Sequence, residues 1–290
     1  MQRRILAVLV SAVTLLAPAG SAVASTGHHD AGSHGPRPSA YLALGDSLAA
    51  GYQPGLGDNK TGGYVGQVLA GLGTREHPAA LVNLSCSGET AASMVAGGHC
   101  DTYPAGSQLA QAVAYLHAHP GRTKVITVDI GANDVQRCVS AAGIDTTCIQ
   151  AGMAAVHANL AVIFDALRRA APQAQIVALT YYDPFLAAWL LGSKGQALAT
   201  TSVGLADQLN AQIKRAAKRD RVEVADIAKA FRTHTWRLVS DPTFGSVPKN
   251  VQVICQWTWM CTLGDIHAND AGYAVLAHTV LARLDAPRRR

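Results

Sequence analysis

From Ala40 onward, short apolar runs alternate with longer stretches in which apolar residues recur every three or four positions. The short runs predict strands at 40–44 (AYLAL), 80–85 (ALVNLS), 124–130 (KVITVDI), 174–180 (AQIVALT) and 222–227 (VEVADI). The longer stretches predict helices at 62–73, 107–119, 149–171 and 202–219, and one from about Asp270 through Leu284. Pro120-Gly121 and Pro172 stop two of them, because proline lacks the N–H that a continuing helix needs. Strands alternating with helices predict a parallel sheet covered on both faces. The segment between the fifth strand and Gly264 reads as a long loop, and no internal repeat is evident.

The stretch ahead of this pattern has a different character. Residues 1–24 carry Arg3 and Arg4, a 15-residue apolar body (ILAVLVSAVTLLAPA) and a small-residue AVA ending, the layout of an export signal. The apolar body is shorter than the roughly 20 residues that span a bilayer, and no later segment reads as long and apolar enough to do so. Residues 25–39 (STGHHDAGSHGPRPS) are polar and rich in Gly, Pro and His, as in a flexible leader. The domain is then expected over 40–286, with a basic tail at 287–290. With 49% apolar and 15% charged residues the chain can bury a sizeable core and lies far from the disordered class. Five of the basic residues behind the net charge of +5 sit in the termini (Arg3, Arg4, Arg288, Arg289 and Arg290), which argues against a nucleic-acid surface.

All six cysteines follow the signal, and an even count in an exported chain predicts disulfides. Six cysteines allow about 15 pairings, which the sequence alone does not choose between. Proximity favours Cys86–Cys100, Cys138–Cys148 and Cys255–Cys261. No CxxC pair is present, so a zinc cluster is not expected.

In parallel sheets ligands gather at the carboxyl ends of the strands. The residues after the predicted strands are GDS (45–47), CSGET (86–90), GAND (131–134) and YYDPF (181–185), and beyond the fifth lies GDIHANDAGY (264–273). Ser47 is the candidate nucleophile. His267 is the candidate base that takes its proton, and Asp265 is the group that orients the imidazole. The N–H groups of Ser47 and Gly88 and the amide of Asn133 are candidate donors to a developing oxyanion. Taken singly each residue has a plainer reading: Ser47 or Asn133 as a helix cap, Gly88 as a turn glycine, His267 as a packing histidine, Asp46 and Asp134 as loop braces. The ordered set at successive strand tips favours chemistry.

With these blocks the chain resembles the GDSL, or SGNH, esterases and lipases: Gly45-Asp46-Ser47-Leu48, then Gly88, then Gly131-Ala132-Asn133-Asp134, then Asp265 and His267. The resemblance covers about 40–284. It implies a flavodoxin-like three-layer α/β/α fold around a five-stranded, mostly parallel sheet. It implies ester hydrolysis without metal or cofactor, with Ser47 as nucleophile, His267 as base, and Gly88 and Asn133 as oxyanion donors. The export signal and six cysteines look like the secreted actinobacterial branch with three local disulfides, which supports the pairing by proximity. One departure stands out: the family places its acid three residues before the histidine, where this chain has Gly264. Either Asp265 takes the role or the Gly264 carbonyl does.

Tyr182, Phe185, Leu186 and Trp189 are candidates for an acyl groove, and Trp257 and Trp259 for contacts near His267. The expectation is a secreted, monomeric serine esterase or lipase acting on a small-molecule or lipid ester, without nucleic-acid partners or stable membrane insertion after signal cleavage. The alternatives are a non-catalytic binding module of the same fold for acylated glycans or lipids, marked by a broken catalytic set, and a disulfide-stabilised structural protein of the cell wall, which would need no Ser/His pair.

Overall fold

A computed structural model describes residues 39–73, 80–140 and 143–285. The expected export signal, the basic tail and all but the last residue of the leader lie outside the described residues.

Among the described residues, five strands form one parallel sheet: β1 Ala40–Gly45, β2 Ala80–Asn83, β3 Thr123–Asp129, β4 Gln175–Leu179 and β5 Glu223–Ala225. Their order across the sheet is β2-β1-β3-β4-β5, the flavodoxin-like arrangement. All six residues of β1 are buried, which is why it reads as an unbroken apolar run rather than an alternation. Register pairs Leu42 with Val82 and with Ile126, so the three strands end close together at Gly45, Asn83 and Asp129.

Ten helices among the described residues surround the sheet: α1 Gly63–Gly73, α2 Ala91–Ala96, α3 Gln108–Ala118, α4 Ala132–Gln136, α5 Thr146–Ala170, α6 Ser193–Arg219, α7 Ile227–Ala230, α8 Lys249–Trp257, α9 Met260–Leu263 and α10 Asp270–Leu284. α1 packs on α10, and α10 contacts α7, α8 and the β4–β5 half of the sheet. α5 packs on α2, α3, α4 and α6. Side-chain oxygens cap several N-termini: Ser107 accepts from Ala110 N–H, Asp145 from Cys148 N–H and Asn269 from Gly272 N–H.

Three expectations need correction. First, α6 begins at Ser193, not 202. Gly195, Thr200 and Thr201 lower the local helix propensity, but tertiary packing overrides it. A Cβ at Gly195 would lie 2.0 Å from the Ala188 carbonyl oxygen, so the glycine permits close packing on the 3₁₀ segment Pro184–Leu191. Thr200 and Thr201 bond back to the carbonyls of Gln196 and Ala197. Second, the region after β5 is not a long loop. It holds the antiparallel ribbon Leu238–Asp241/Gly245–Pro248 and α8, which buries Val251, Val253 and Ile254. Third, α5 is by length and composition apolar enough to cross a membrane. In this fold Val156, Leu160, Ile163, Phe164 and Leu167 spend that apolarity in the core.

Candidate active site

The tip of β1 is built to hold Ser47 outward. Gly45 has φ 146°, and a Cβ there would lie 2.4 Å from both an oxygen of the Asp129 carboxyl and its main-chain oxygen, so only glycine lets the two strand ends meet. The Asp46 N–H donates to the Asp129 carbonyl (3.1 Å), and the Asp46 carboxyl accepts from the Leu48 N–H (3.0 Å) and the Tyr181 hydroxyl (2.7 Å). Turns at 46–51 follow instead of a helix, so Ser47 caps nothing. Its Oγ lies 2.8 Å from Nε2 of His267.

His267 reaches this point from the loop before α10. Its carbonyl accepts from Trp259 N–H (3.0 Å), and the Tyr182 hydroxyl donates to the adjacent Ile266 carbonyl (2.8 Å). The Tyr52 ring lies 4.4 Å, centroid to centroid, from the imidazole. One oxygen of Asp265 meets both the backbone N–H of His267 (2.9 Å) and Nδ1 (2.7 Å). This fold-back explains how an acid only two residues away reaches the ring. A proton on Nδ1 donates to Asp265, leaving Nε2 to accept from the Ser47 hydroxyl. Gly264 has a different role, closing the end of α9 in the left-handed conformation at φ 66°.

The loop after β2 carries Gly88 in a turn at φ 82°, where a Cβ would strike the His99 ring at 2.7 Å. Cys86 N–H donates to the Gly45 carbonyl (3.1 Å), tying this loop to the Ser47 turn. Asn133 lies inside α4, whose cap is Gly131, and its Nδ2 donates one hydrogen to the Glu89 carbonyl (2.8 Å). Its second amide hydrogen has no acceptor among the described residues. Among the described residues, the Ser47 and Gly88 N–H groups have no hydrogen-bond acceptor in the protein.

Gln108, which no sequence motif singles out, knits these loops together. Fully buried, it accepts from Gly45 N–H (2.7 Å) and donates to the Gly45 carbonyl (3.0 Å) and to Glu89 (3.1 Å). Asp134 braces the same region by accepting from Ala91 N–H (2.8 Å). A buried Gln in a helix gives no sequence signal, because the loops opposite decide what it bonds to.

Ser47 and His267 open onto a cleft walled by Leu48, Val135, Val139, Ile149, Leu205 and Leu209, with Tyr182 and Phe185 also lining it. Trp189 and Trp257, proposed from sequence as substrate contacts, are not among the lining residues. Trp189 packs against Trp236, and Trp257 lies edge-on to Phe231. Leu186 is fully buried, and Trp259 donates through Nε1 to Gln53 (2.6 Å). The α6 and α5 wall was missed because Leu205, Leu209 and Ile149 look like any core-facing helix positions.

The disulfides are Cys86–Cys100, Cys138–Cys148 and Cys255–Cys261. The first brackets the Gly88 turn. The second lies beside Val139 and Ile149 of the cleft wall, and the third just ahead of the Asp265–His267 loop. Among the described residues one cluster has metal-type donors, Cys86, His99 and Cys100, and both its sulfurs are in that first disulfide.

Asp183, on the cleft wall, is 2% exposed and accepts from Phe185 N–H (3.0 Å) and the Ser202 hydroxyl (2.7 Å). Burial pushes its carboxyl up to about 6. A carboxyl whose proton binds tighter in the fold than in the unfolded chain makes folding take up a proton. Its contribution is therefore greatest below pH 4 and declines as pH rises towards 6. The melting temperature of Asp183→Asn relative to the parent should rise between pH 4 and 6, by the loss of a pH-dependent term of roughly 2–3 kcal/mol. Melting curves across that range check it; a parent-like slope would sink the assignment.

A family model described as the GDSL-like lipase/acylhydrolase family matches residues 43–275. No curated protein sequence matches the chain. Among solved structures, the lipase Lip_vut3 from a goat rumen metagenome is similar at 16% identity and a TM-score of 0.53, covering 84% of this chain and 97% of its own. A protein of Parabacteroides merdae described as a GDSL-like lipase gives 14% identity and a TM-score of 0.53, covering 85% and 95%. At these identities the likeness speaks for the fold.

Proposed function

The chain belongs to the GDSL-like lipase/acylhydrolase family and is a carboxylic ester hydrolase, and we propose that it is a secreted serine enzyme working through an acyl-enzyme. The observation that carries this reading is the continuous line from Asp265 through His267 to Ser47, with hydrogen bonds of 2.7 and 2.8 Å. Ser47 Oγ attacks the ester carbonyl while its proton passes to Nε2. The imidazolium, held by Asp265, then gives that proton to the departing alkoxide. Water, deprotonated by the same nitrogen, attacks the acyl-Ser47 carbonyl and returns the free serine and the acid. The oxygen that becomes negative in both halves is met by the N–H groups of Ser47 and Gly88 and by the second amide hydrogen of Asn133.

The apolar cleft beside Ser47 suits the acyl side of an ester. Three disulfides support a life outside the reducing cytosol, and the residues support this chemistry without a metal or cofactor. The intact catalytic set argues against the binding-module alternative. Nitrophenyl esters from acetyl to palmitoyl test the reading: turnover of at least one is expected, and no turnover along the whole series would refute it. Asn133→Ala should lower kcat by about 10²–10³, the usual loss for one oxyanion donor, with KM changing little. A comparable rise in KM instead would make Asn133 a ground-state contact. Ile149→Trp, which fills the cleft, should cut the palmitoyl rate at least about tenfold relative to acetyl; an unchanged ratio would place the acyl chain elsewhere.

A further inference from the structure

Beneath the Ser47 turn lie two carboxyl groups that the acyl transfer does not use, Asp46 and Asp129, at 2% and 0% exposure. Asp129 ends β3. One of its oxygens accepts from the Tyr64 hydroxyl (2.7 Å) and the other from the Ala49 N–H (3.0 Å). Asp46 accepts from the Leu48 N–H and the Tyr181 hydroxyl. The Asp46 N–H donates to the Asp129 carbonyl (3.1 Å), and the charge of Asp46 acts on the Asp129 carboxyl. Two carboxylates have only acceptors to offer, so neither relieves the other while both are ionised. No lysine or arginine makes an ion pair with either among the described residues, and two bare charges buried side by side would be very costly.

We propose that Asp46 and Asp129 hold a single proton between them and serve as a positioning pair that fixes the turn presenting Ser47. Together they grip the turn at Leu48 and Ala49, the two residues after the nucleophile. Burial pushes both carboxyls up, Asp129 furthest, with the charge of Asp46 adding to the effect there. The other titratable groups facing the pair are Tyr41, Tyr64, Tyr181, Tyr182 and Tyr273, phenols that burial keeps neutral, and His267. The positive charge that His267 gains during acyl transfer favours an ionised Asp46, so the pair offers the imidazolium one negative charge. At alkaline pH the shared proton leaves, the two charges repel, and the turn loses its brace. Activity then falls on the alkaline side for a reason separate from the Ser47–His267–Asp265 set.

The proposal rests on Ser47 as the nucleophile, but its first test does not need turnover. An infrared spectrum at pH 8, where Asp183 is ionised, should show the carbonyl stretch of a protonated buried carboxyl in the parent and equally in Ser47→Ala. Asp129→Asn should lose it. A parent without the band, or an Asp129→Asn protein that keeps it, overturns the proposal while leaving ester hydrolysis standing. In Asp129→Asn the amide hydrogen replaces the titratable one. Its rate relative to the parent should therefore rise roughly tenfold per pH unit above the parent's alkaline limit. Should Asp129→Asn fail to fold, Tyr64→Phe gives a second reading. Removing the phenol's hydrogen bond makes Asp129 hold its proton more tightly, so the band and the alkaline limit should both move to higher pH. An alkaline limit unmoved in either folded variant also overturns the proposal.

Discussion

Ser47→Ala is expected to lower kcat/KM on a nitrophenyl ester by roughly 10⁴–10⁶ while leaving the fold intact. The size follows from what is removed. Without Oγ no covalent acyl-enzyme can form, and only the oxyanion donors and substrate binding remain to speed attack by water. The fold should tolerate the change, because the hydroxyl meets His267 across the cleft and Ser47 caps no helix. The measurement pairs steady-state rates with labelling by a fluorophosphonate, which should modify the parent at one site and the variant at none. A variant within tenfold of the parent, or one still labelled, would mean that a different nucleophile does the chemistry.

Asp265→Ala should cost on the order of 10³–10⁴ in kcat, with KM changing far less. One oxygen of Asp265 meets both the backbone N–H and Nδ1 of His267. Its loss therefore frees the ring to rotate and removes the charge that stabilises the imidazolium. Asp265→Asn should be nearly as damaging, since an amide turned to donate forces Nδ1 to accept and puts the proton on the nitrogen that faces Ser47. If the Gly264 carbonyl oriented the ring instead, both variants would keep most of the parent rate. The two sequence readings thus differ by about three orders of magnitude in one assay.

The strands were largely legible. β1, β3 and β4 are apolar because both faces of a central parallel strand are covered, and their bounds come within a residue or two of the expected runs. The family blocks were legible too: Gly45, Ser47, Gly88 and Asn133 stand at or just beyond strand ends where the backbone allows few residue types, and His267 stands just ahead of the last helix. The cleft wall was not. Trp189 and Trp257 drew attention because large aromatics near a site suggest contact, yet Trp236 and Phe231 take them up as packing partners. Leu205 and Leu209 line the cleft only because α6 runs past the Ser47 turn, which helical periodicity does not reveal.

Local chemistry is written in the chain itself: which stretches are strands, where each must stop, and which polar groups stand at those stops. Parallel strands demand this, since their apolar content and terminal turns are properties of a few consecutive residues. How His267 and Ser47, 220 positions apart, come to lie 2.8 Å from each other, and why Asp265 rather than Gly264 meets the ring, were settled by tertiary packing. So was the burial of Asp46 and Asp129, neither of which has a cation in an ion pair among the described residues. Those outcomes depend on the order of strands across the sheet and on loops pinned by Gln108, Tyr181 and Tyr182, distances that no run of neighbouring residues encodes.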